Sequence, residues 1–276
     1  MPVHEIDDPK RLFHSLLVDP ERSALLGAFL ATFGSGDKAW TWRAGGATNI
    51  SFLIYLTNTS YSPILFGFGP PAGIENLLLA ARPHIPEKVR LHVPVAHAEA
   101  IERLFFHETR PDLIFSLSRG DLALPRRRAT IVEIGPNDAR EVEDLLSASY
   151  PGNFFRAEQL REGVHVGIRE GGRLAAFASA PIVAREYRRA FVSNVVTRDD
   201  ARRKGLAHAV NHALAERLFA QGVDIIGLGV FASNAAGRAL CESLGYRFRY
   251  HVLFGHGTLR GAKTTDRDHG HAVAHT

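Results

Sequence analysis

A single cysteine, Cys241, in 276 residues rules out an intrachain disulfide framework and any cysteine-based metal cage. No run approaches the eighteen or so consecutive apolar residues of a membrane-spanning helix. The first residues, Met1-Pro2-Val3-His4-Glu5-Ile6-Asp7-Asp8, lack the basic-then-apolar order of a secretion signal. Charge of one sign is not in excess either, since 33 Lys+Arg against 29 Asp+Glu leave a formal +4. The densest basic cluster, Pro125-Arg126-Arg127-Arg128, has no interleaved aromatics and no recognition motif, so a nucleic-acid face is not supported. These absences lead to the expectation of a cytoplasmic chain without nucleic-acid or membrane partners, monomeric or homodimeric. The length suffices for one large or two modest domains, with a sizeable core in either case.

What is present is an alternation of strand-like and helix-like segments, an α/β (α+β) chain. Leu122-Ala123-Leu124-Pro125-Arg126-Arg127-Arg128 is the best internal boundary, a proline and a charge run between two structured halves. It suggests domains at 1–125 and 126–256, then a polar, Gly- and His-rich tail at 257–276 expected to be flexible. His269, His271 and His275 read as part of that tail rather than as a metal site. In the first half the pattern predicts a helix over 12–33 and strands over 40–43 and 50–56 around Gly45-Gly46-Ala47. A strand over 63–69, a helix over 74–81, a strand over 89–93, a helix over 96–106 and a strand over 112–117 follow. In the second half a strand over 129–134 leads to a helix over 137–150, with Pro136-Asn137-Asp138 as start signal and Val142, Leu145, Leu146 and Ala148 on one face. A short helix over 157–162, a strand over 164–168, a hairpin turn at Gly171-Gly172, and strands over 173–183 and 188–197 come next.

The most informative stretch is Arg202-Arg203-Lys204-Gly205-Leu206-Ala207, between a strand-like run over 190–197 and a helix-like run over 208–220. A strand that turns through a glycine into a helix leaves backbone N–H groups unpaired at the helix's positive end, a ready site for phosphate or pyrophosphate. Downstream lie Asp224-Ile225-Ile226-Gly227-Leu228-Gly229-Val230, then Ser233-Asn234 at the start of a second helix that ends at Leu244-Gly245-Tyr246. Order and spacing together resemble the coenzyme A-binding half of the GCN5-related N-acetyltransferase (GNAT) superfamily, over about 130–256. The first half has no such hexapeptide, and prolines occupy the donor positions in Phe66-Gly67-Phe68-Gly69-Pro70-Pro71. It reads as a degenerate GNAT-like copy or an acceptor-shaping domain, and the tandem layout resembles the FR47-like and glycine N-acyltransferase-like branch.

The resemblance implies acetyl-CoA or another acyl-CoA as co-substrate, and a small-molecule amine or amino acid as acceptor. It would pair the pantetheine arm with the backbone of Val195, Val196 and Thr197. The pyrophosphate would lie among the N–H groups of Arg203, Lys204, Gly205, Leu206, Ala207 and His208, with Arg202, Arg203 or Lys204 adding charge. Asn234 would contact the cofactor arm, although Ser233 or Asn234 has reason enough to be there as a helix cap. The Val196 N–H is the candidate for meeting the oxyanion. Cys241 stands where many family members carry a tyrosine; it is either the acid for the leaving thiolate or a small core residue, with Tyr246 a weaker acid candidate. Glu186, Glu133, His165 and His208 are all in the right half to be a general base, and spacing selects none of them. A non-catalytic acyl-CoA-binding protein is the alternative reading at this point.

Overall fold

In a computed structural model the described residues are 3–43, 50–57, 59 and 63–261. The first half runs β1 (His4–Ile6), α1 (Pro9–Leu16), α2 (Ala24–Phe29), β2 (Lys38–Arg43), β3 (Ile50–Leu56), β4 (Ile64–Phe68), α3 (Pro71–Ala81), β5 (Lys88–Pro94), α4 (Ala98–Leu104) and β6 (Phe105–Ser118). The second runs β7 (Val132–Glu133), α5 (Ala139–Ser149), β8 (Val164–Glu170), β9 (Arg173–Ala184), β10 (Arg189–Thr197), α6 (Leu206–Ala220), β11 (Ile225–Phe231), α7 (Ala235–Leu244) and β12 (Arg247–Leu259). The two successions match element for element over their last four strands and two helices.

Local chemistry explains most boundaries. Gly171 and Gly172 both take left-handed φ, 62° and 77°, as a two-residue hairpin turn requires, and they join Glu170 to its partner Arg173. Helix α5 buries Val142, Leu145 and Leu146, while Ala148 falls on its exposed side. The helix predicted over 12–33 is broken into α1 and α2 near Pro20, which cannot continue a helix; the Ser23 hydroxyl stabilises the break by donating to the Leu16 and Asp19 carbonyls at 2.9 and 2.7 Å. Gly45-Gly46-Ala47 lie outside the described residues.

Two corrections concern strands. The helix predicted to end at Phe106 stops at Leu104, and Phe105 opens a strand of 14 residues rather than one beginning at Asp112. Pro111 sits inside β6 opposite Leu253, at the level where β11 stops and no donor is needed. The tail begins later than expected, because Gly257, Thr258 and Leu259 belong to β12 and Leu259 packs in the core. Residues 262–276, with their histidines, lie outside the described residues.

The strands form one twelve-stranded sheet in the order β1-β2-β3-β4-β5-β12-β6-β11-β10-β9-β8-β7. Read from either edge the order is the same when β1–β6 and β7–β12 are interchanged, so a pseudo-two-fold passes between β12 and β6. Each half has one parallel pair, β4 with β5 and β10 with β11, and is otherwise antiparallel. Each half also gives its last strand away: β12 lies between β5 and β6, and β6 lies between β11 and β12. The sheet therefore runs unbroken across the 125/126 boundary.

The cores follow the same plan. Helices α6 and α7 cover one face of the second half with Val210, Leu214, Leu218, Cys241 and Leu244, while α3 and α4 cover the first half with Ile74, Leu77, Leu78 and Ile101. Helix α2 crosses the boundary and packs Leu25 against β11 so closely that a Cβ on Gly227 would lie 2.7 Å from the Leu25 backbone nitrogen. The linker is held against α6, since Arg127 donates to the Lys204 carbonyl at 2.7 Å and the His212 ring lies 3.0 Å from the Ala123 carbonyl.

Candidate active site

Strands β10 and β11 pair only from Arg189–Ile225 to Val192–Leu228, and then part. Beyond that point β10 keeps its other neighbour, β9, through two register shifts, and Asn194 adopts a left-handed φ of 52°. The stretch that turns from β11 carries three polar atoms that are buried and without a hydrogen-bond partner: Ser193 Oγ, Asn194 Nδ2 and Thr197 Oγ1. Such atoms are costly unless something pairs with them.

The opening leads to the glycine turn. Arg203 and Gly205 both take left-handed φ, 62° and 76°, which for Arg203 costs about 1 kcal/mol or more. Backbone curled in this way turns successive N–H groups toward one point, where α6 adds its unpaired first-turn donors. Residues 202–205 are exposed, and nothing lies within 4 Å of the position a Gly205 Cβ would take. Arg202 pairs with Asp199 at 2.7 Å and Lys204 with Glu170 at 3.1 Å, both exposed pairs that a phosphate can replace at little cost. Leu206, Ala207 and His208 form the first turn of α6, with Leu206 and His208 buried and Ala207 half-buried. Asn234 caps α7 by accepting from the Gly237 N–H at 2.8 Å, so its Oδ1 already has a structural task.

The sequence-derived catalytic set fares differently. The Arg198 N–H donates to the Ala175 carbonyl on β9 at 2.8 Å, and N–H direction alternates along a strand. Val196 therefore also points its N–H to β9, while Val195 and Thr197 face the opening. Cys241 is 3% exposed inside the core beneath α7, and burial pushes its thiol up to about 12. That is too weak an acid for a leaving thiolate, and the core role is the one its environment fits. Tyr246 is also in this core with burial raising its phenol, well away from solvent.

Nor do the four possible bases meet at the opening. Glu186 pairs on the surface with Lys10 at 3.0 Å, and Glu133 is a mostly exposed partner of Arg217 at 3.9 Å. Both His165 ring nitrogens are engaged, with Ser179 Oγ at 2.9 Å and the Glu162 carbonyl at 2.5 Å, and burial lowers its pKa. His208 lies against the Ser243 carbonyl at 3.4 Å and stacks on His212, whose other nitrogen meets Glu216 at 3.2 Å. Among the described residues no group of three or more possible metal ligands is found.

A residue the sequence reading passed over lies beside the end of β11 that has left β10. Asp112 of β6 is opposite Phe231 of β11, and the position of a Gly229 Cβ would be 3.6 Å from its Oδ2. It is 7% exposed, and its Oδ1 has no hydrogen-bond partner. Burial raises its pKa to about 7, against a weaker lowering by Arg110. Arg110 itself stacks on the Phe231 ring, 3.4 Å from the centroid, and Tyr150 at the end of α5 feels the Asp112 charge. Only the strand exchange brings this carboxyl from the first half beside β11.

A glycine turn feeding a helix N-terminus beside two parted parallel strands is the arrangement that the resemblance to the GNAT superfamily implies. Residues 136–246 match the family model of the acetyltransferase (GNAT) family and form a GNAT-family domain. The [ribosomal protein bS18]-alanine N-acetyltransferase of Escherichia coli K12 is 36% identical over 92 residues, 33% of this chain and 60% of the relative. The match thus spans less than two thirds of that relative's length. Among solved structures, a Drosophila protein superposes with a TM-score of 0.66 at 14% identity, covering 94% of this chain and 99% of its own. A GCN5-related N-acetyltransferase from Kribbella flavida gives 0.56 at 18% identity, with 87% and 95% covered. At such identities these two share the fold, and they share it through the first half as well as the second. No helix among the described residues is long and apolar enough to cross a membrane.

Proposed function

We propose that the chain is an acyl-coenzyme A-dependent N-acyltransferase, in its simplest form an acetyltransferase. It passes the acyl group directly to an amine within a ternary complex. The observation that carries this reading is the parting of β10 from β11 past Val192 and Leu228, with a bare left-handed turn at Gly205 where β10 leads into α6. The pantetheine arm takes the place of a partner strand along β10, pairing with the outward backbone of Val195 and Thr197. The role first given to the Val196 N–H passes to these two neighbours, one of which meets the oxyanion. The pyrophosphate lies on the N–H groups from Arg203 to His208, with Arg202, Arg203 or Lys204 near the outer phosphate.

Residues 126–256 would hold the co-substrate and 1–125 would shape the acceptor side. The acceptor is an amine of a small molecule or amino acid, and an alanine N-terminus, the group named in the E. coli relative's activity, belongs in the same screen. The tandem layout supports the glycine N-acyltransferase-like branch. Calorimetric titration of acetyl-CoA into wild type and Gly205→Glu tests the reading. Micromolar binding that disappears in a folded variant is expected, since glutamate puts bulk and negative charge into the cradle. No binding by wild type would overturn it.

A further inference from the structure

Beside the end of β11 that has left β10 lies one carboxyl group for which neither the fold nor the co-substrate site has a use. Asp112 enters the second half on a strand of the first, one inter-strand spacing (about 4.8 Å) beyond β11. Gly229, its diagonal neighbour on β11, is exposed and has no side chain to screen the carboxylate, whose Oδ2 lies 3.6 Å from the position of a Gly229 Cβ. Its Oδ1 accepts nothing, in a position where a purely structural carboxylate would be saturated by donors. The groups that bear on it are Arg110 from β6 and Tyr150 from the end of α5. At its own level β11 and β12 offer Phe231 and Val252, neither of them charged.

Resting on the acyltransferase reading, we propose that Asp112 is the general base of the reaction, supplied to the second half's active site by the first half through the exchanged strand. An acceptor arriving as an ammonium loses one proton to the Asp112 carboxylate. The freed nitrogen lone pair forms the N–C bond to the thioester carbonyl carbon, and the C–S bond breaks with its electron pair leaving on sulfur. The second proton lost by the nitrogen as the amide forms neutralises the thiolate, and Asp112 returns its own proton to water. A carboxyl poised near neutrality suits this task better than an ordinary one, because it is ionised at working pH yet basic enough to accept a proton. Desolvation is the main cause, and the Arg110 guanidinium limits the shift.

The test compares wild type, Asp112→Asn and Asp112→Glu, each saturated with acetyl-CoA, over pH 5–9. Probes are free amino acids, a polyamine and an alanine-starting peptide, with thiol release as readout. Expected is wild-type turnover that rises through a limb near pH 7. Asp112→Asn should lose about 10²-fold or more in kcat together with that limb, and Asp112→Glu should restore part of both. Acetyl-CoA affinity should be the same in all three. As a second readout, a carboxyl resonance absent from Asp112→Asn should titrate near pH 7. Turnover by Asp112→Asn at the wild-type rate and pH profile would overturn the proposal. So would loss of acetyl-CoA binding in Asp112→Asn, or titration of Asp112 in the ordinary carboxylate range. Failure of wild type to bind acetyl-CoA would instead remove the acyltransferase reading beneath it.

Discussion

At the end of β4 and at the end of β10 the chain makes the same move, leaving a parallel pair and turning into a helix, but the two turns have opposite fates. After β4 the turn is sealed. Gly69 has a φ of 97°, and a Cβ there would collide with the Ile50 carbonyl. The Ser51 hydroxyl donates to the Pro70 carbonyl at 2.7 Å, and His97 Nε2 lies 2.8 Å from the Gly69 carbonyl. A Cβ on Gly73, at the start of α3, would lie 2.6 Å from the Trp42 ring, and Pro70 and Pro71 have no N–H to offer. Between β4 and β5 the gap is filled, since a Cβ on Gly67 would be 3.1 Å from both His97 Nδ1 and Val93 Cγ1. After β10 none of this happens: the turn is bare, and the strand leading to it carries unpartnered polar atoms. A topology can be copied intact while a site within it is closed by its own side chains.

Substitution of the same residue type in the two turns exposes this contrast most sharply. Gly69→Ala should destabilise by about 3 kcal/mol or more, because strain at positive φ adds to backbone collision. Chemical denaturation measures it, and acetyl-CoA affinity of the folded fraction should be unchanged. Asp112→Asn should act in the opposite direction. An acid whose folded pKa lies above its ordinary value favours the native state least once both states are ionised, so wild type loses stability from about pH 4 to about 7. The variant escapes that loss and should be more stable at pH 8 by ~2–4 kcal/mol, with no gain at pH 3. A carboxylate kept for structure would give a destabilised variant instead. Cys241→Ala, in the core on the open side, should cost about 1–2 kcal/mol in denaturation and leave turnover unchanged. Gly205→Ala comes last, with about 1 kcal/mol from positive φ alone, because nothing surrounds it. Its stability loss should be a fraction of that at Gly69.

How much of this the sequence could say depended on distance along the chain. The glycine turn, the Gly171-Gly172 hairpin and the cap at Asn234 are local devices, each decided by a few neighbouring residues, and they were legible. The α/β character and the likeness of the two halves were also legible, because strand and helix periods repeat. Asp112 was not. In Arg110-Pro111-Asp112 it looks like the polar edge of a strand, and its importance comes from pairing with residues more than a hundred positions later. The signal available was weak: a carboxylate in step with Ile114 and Ser116 on one face of an apolar run. Cys241 was left between two roles for the converse reason. Its spacing from Asn234 matched a catalytic position, but whether a helical side chain meets solvent or core is settled by what packs on it.

The exchange of β6 and β12 bears on how the chain is made. Residues 105–118 leave the ribosome well before 247–259 exist, so β5 and β6 wait with open edges until β12 is made. Non-local pairing of this kind slows folding, and during the wait another nascent chain offers the same two strands at the same geometry. Severing the linker near 125 would give two fragments, each lacking its central strand, that recover a sheet only by finding one another. Crowded expression should therefore yield strand-swapped oligomers, whose proportion rises with chain concentration and falls when translation is slowed.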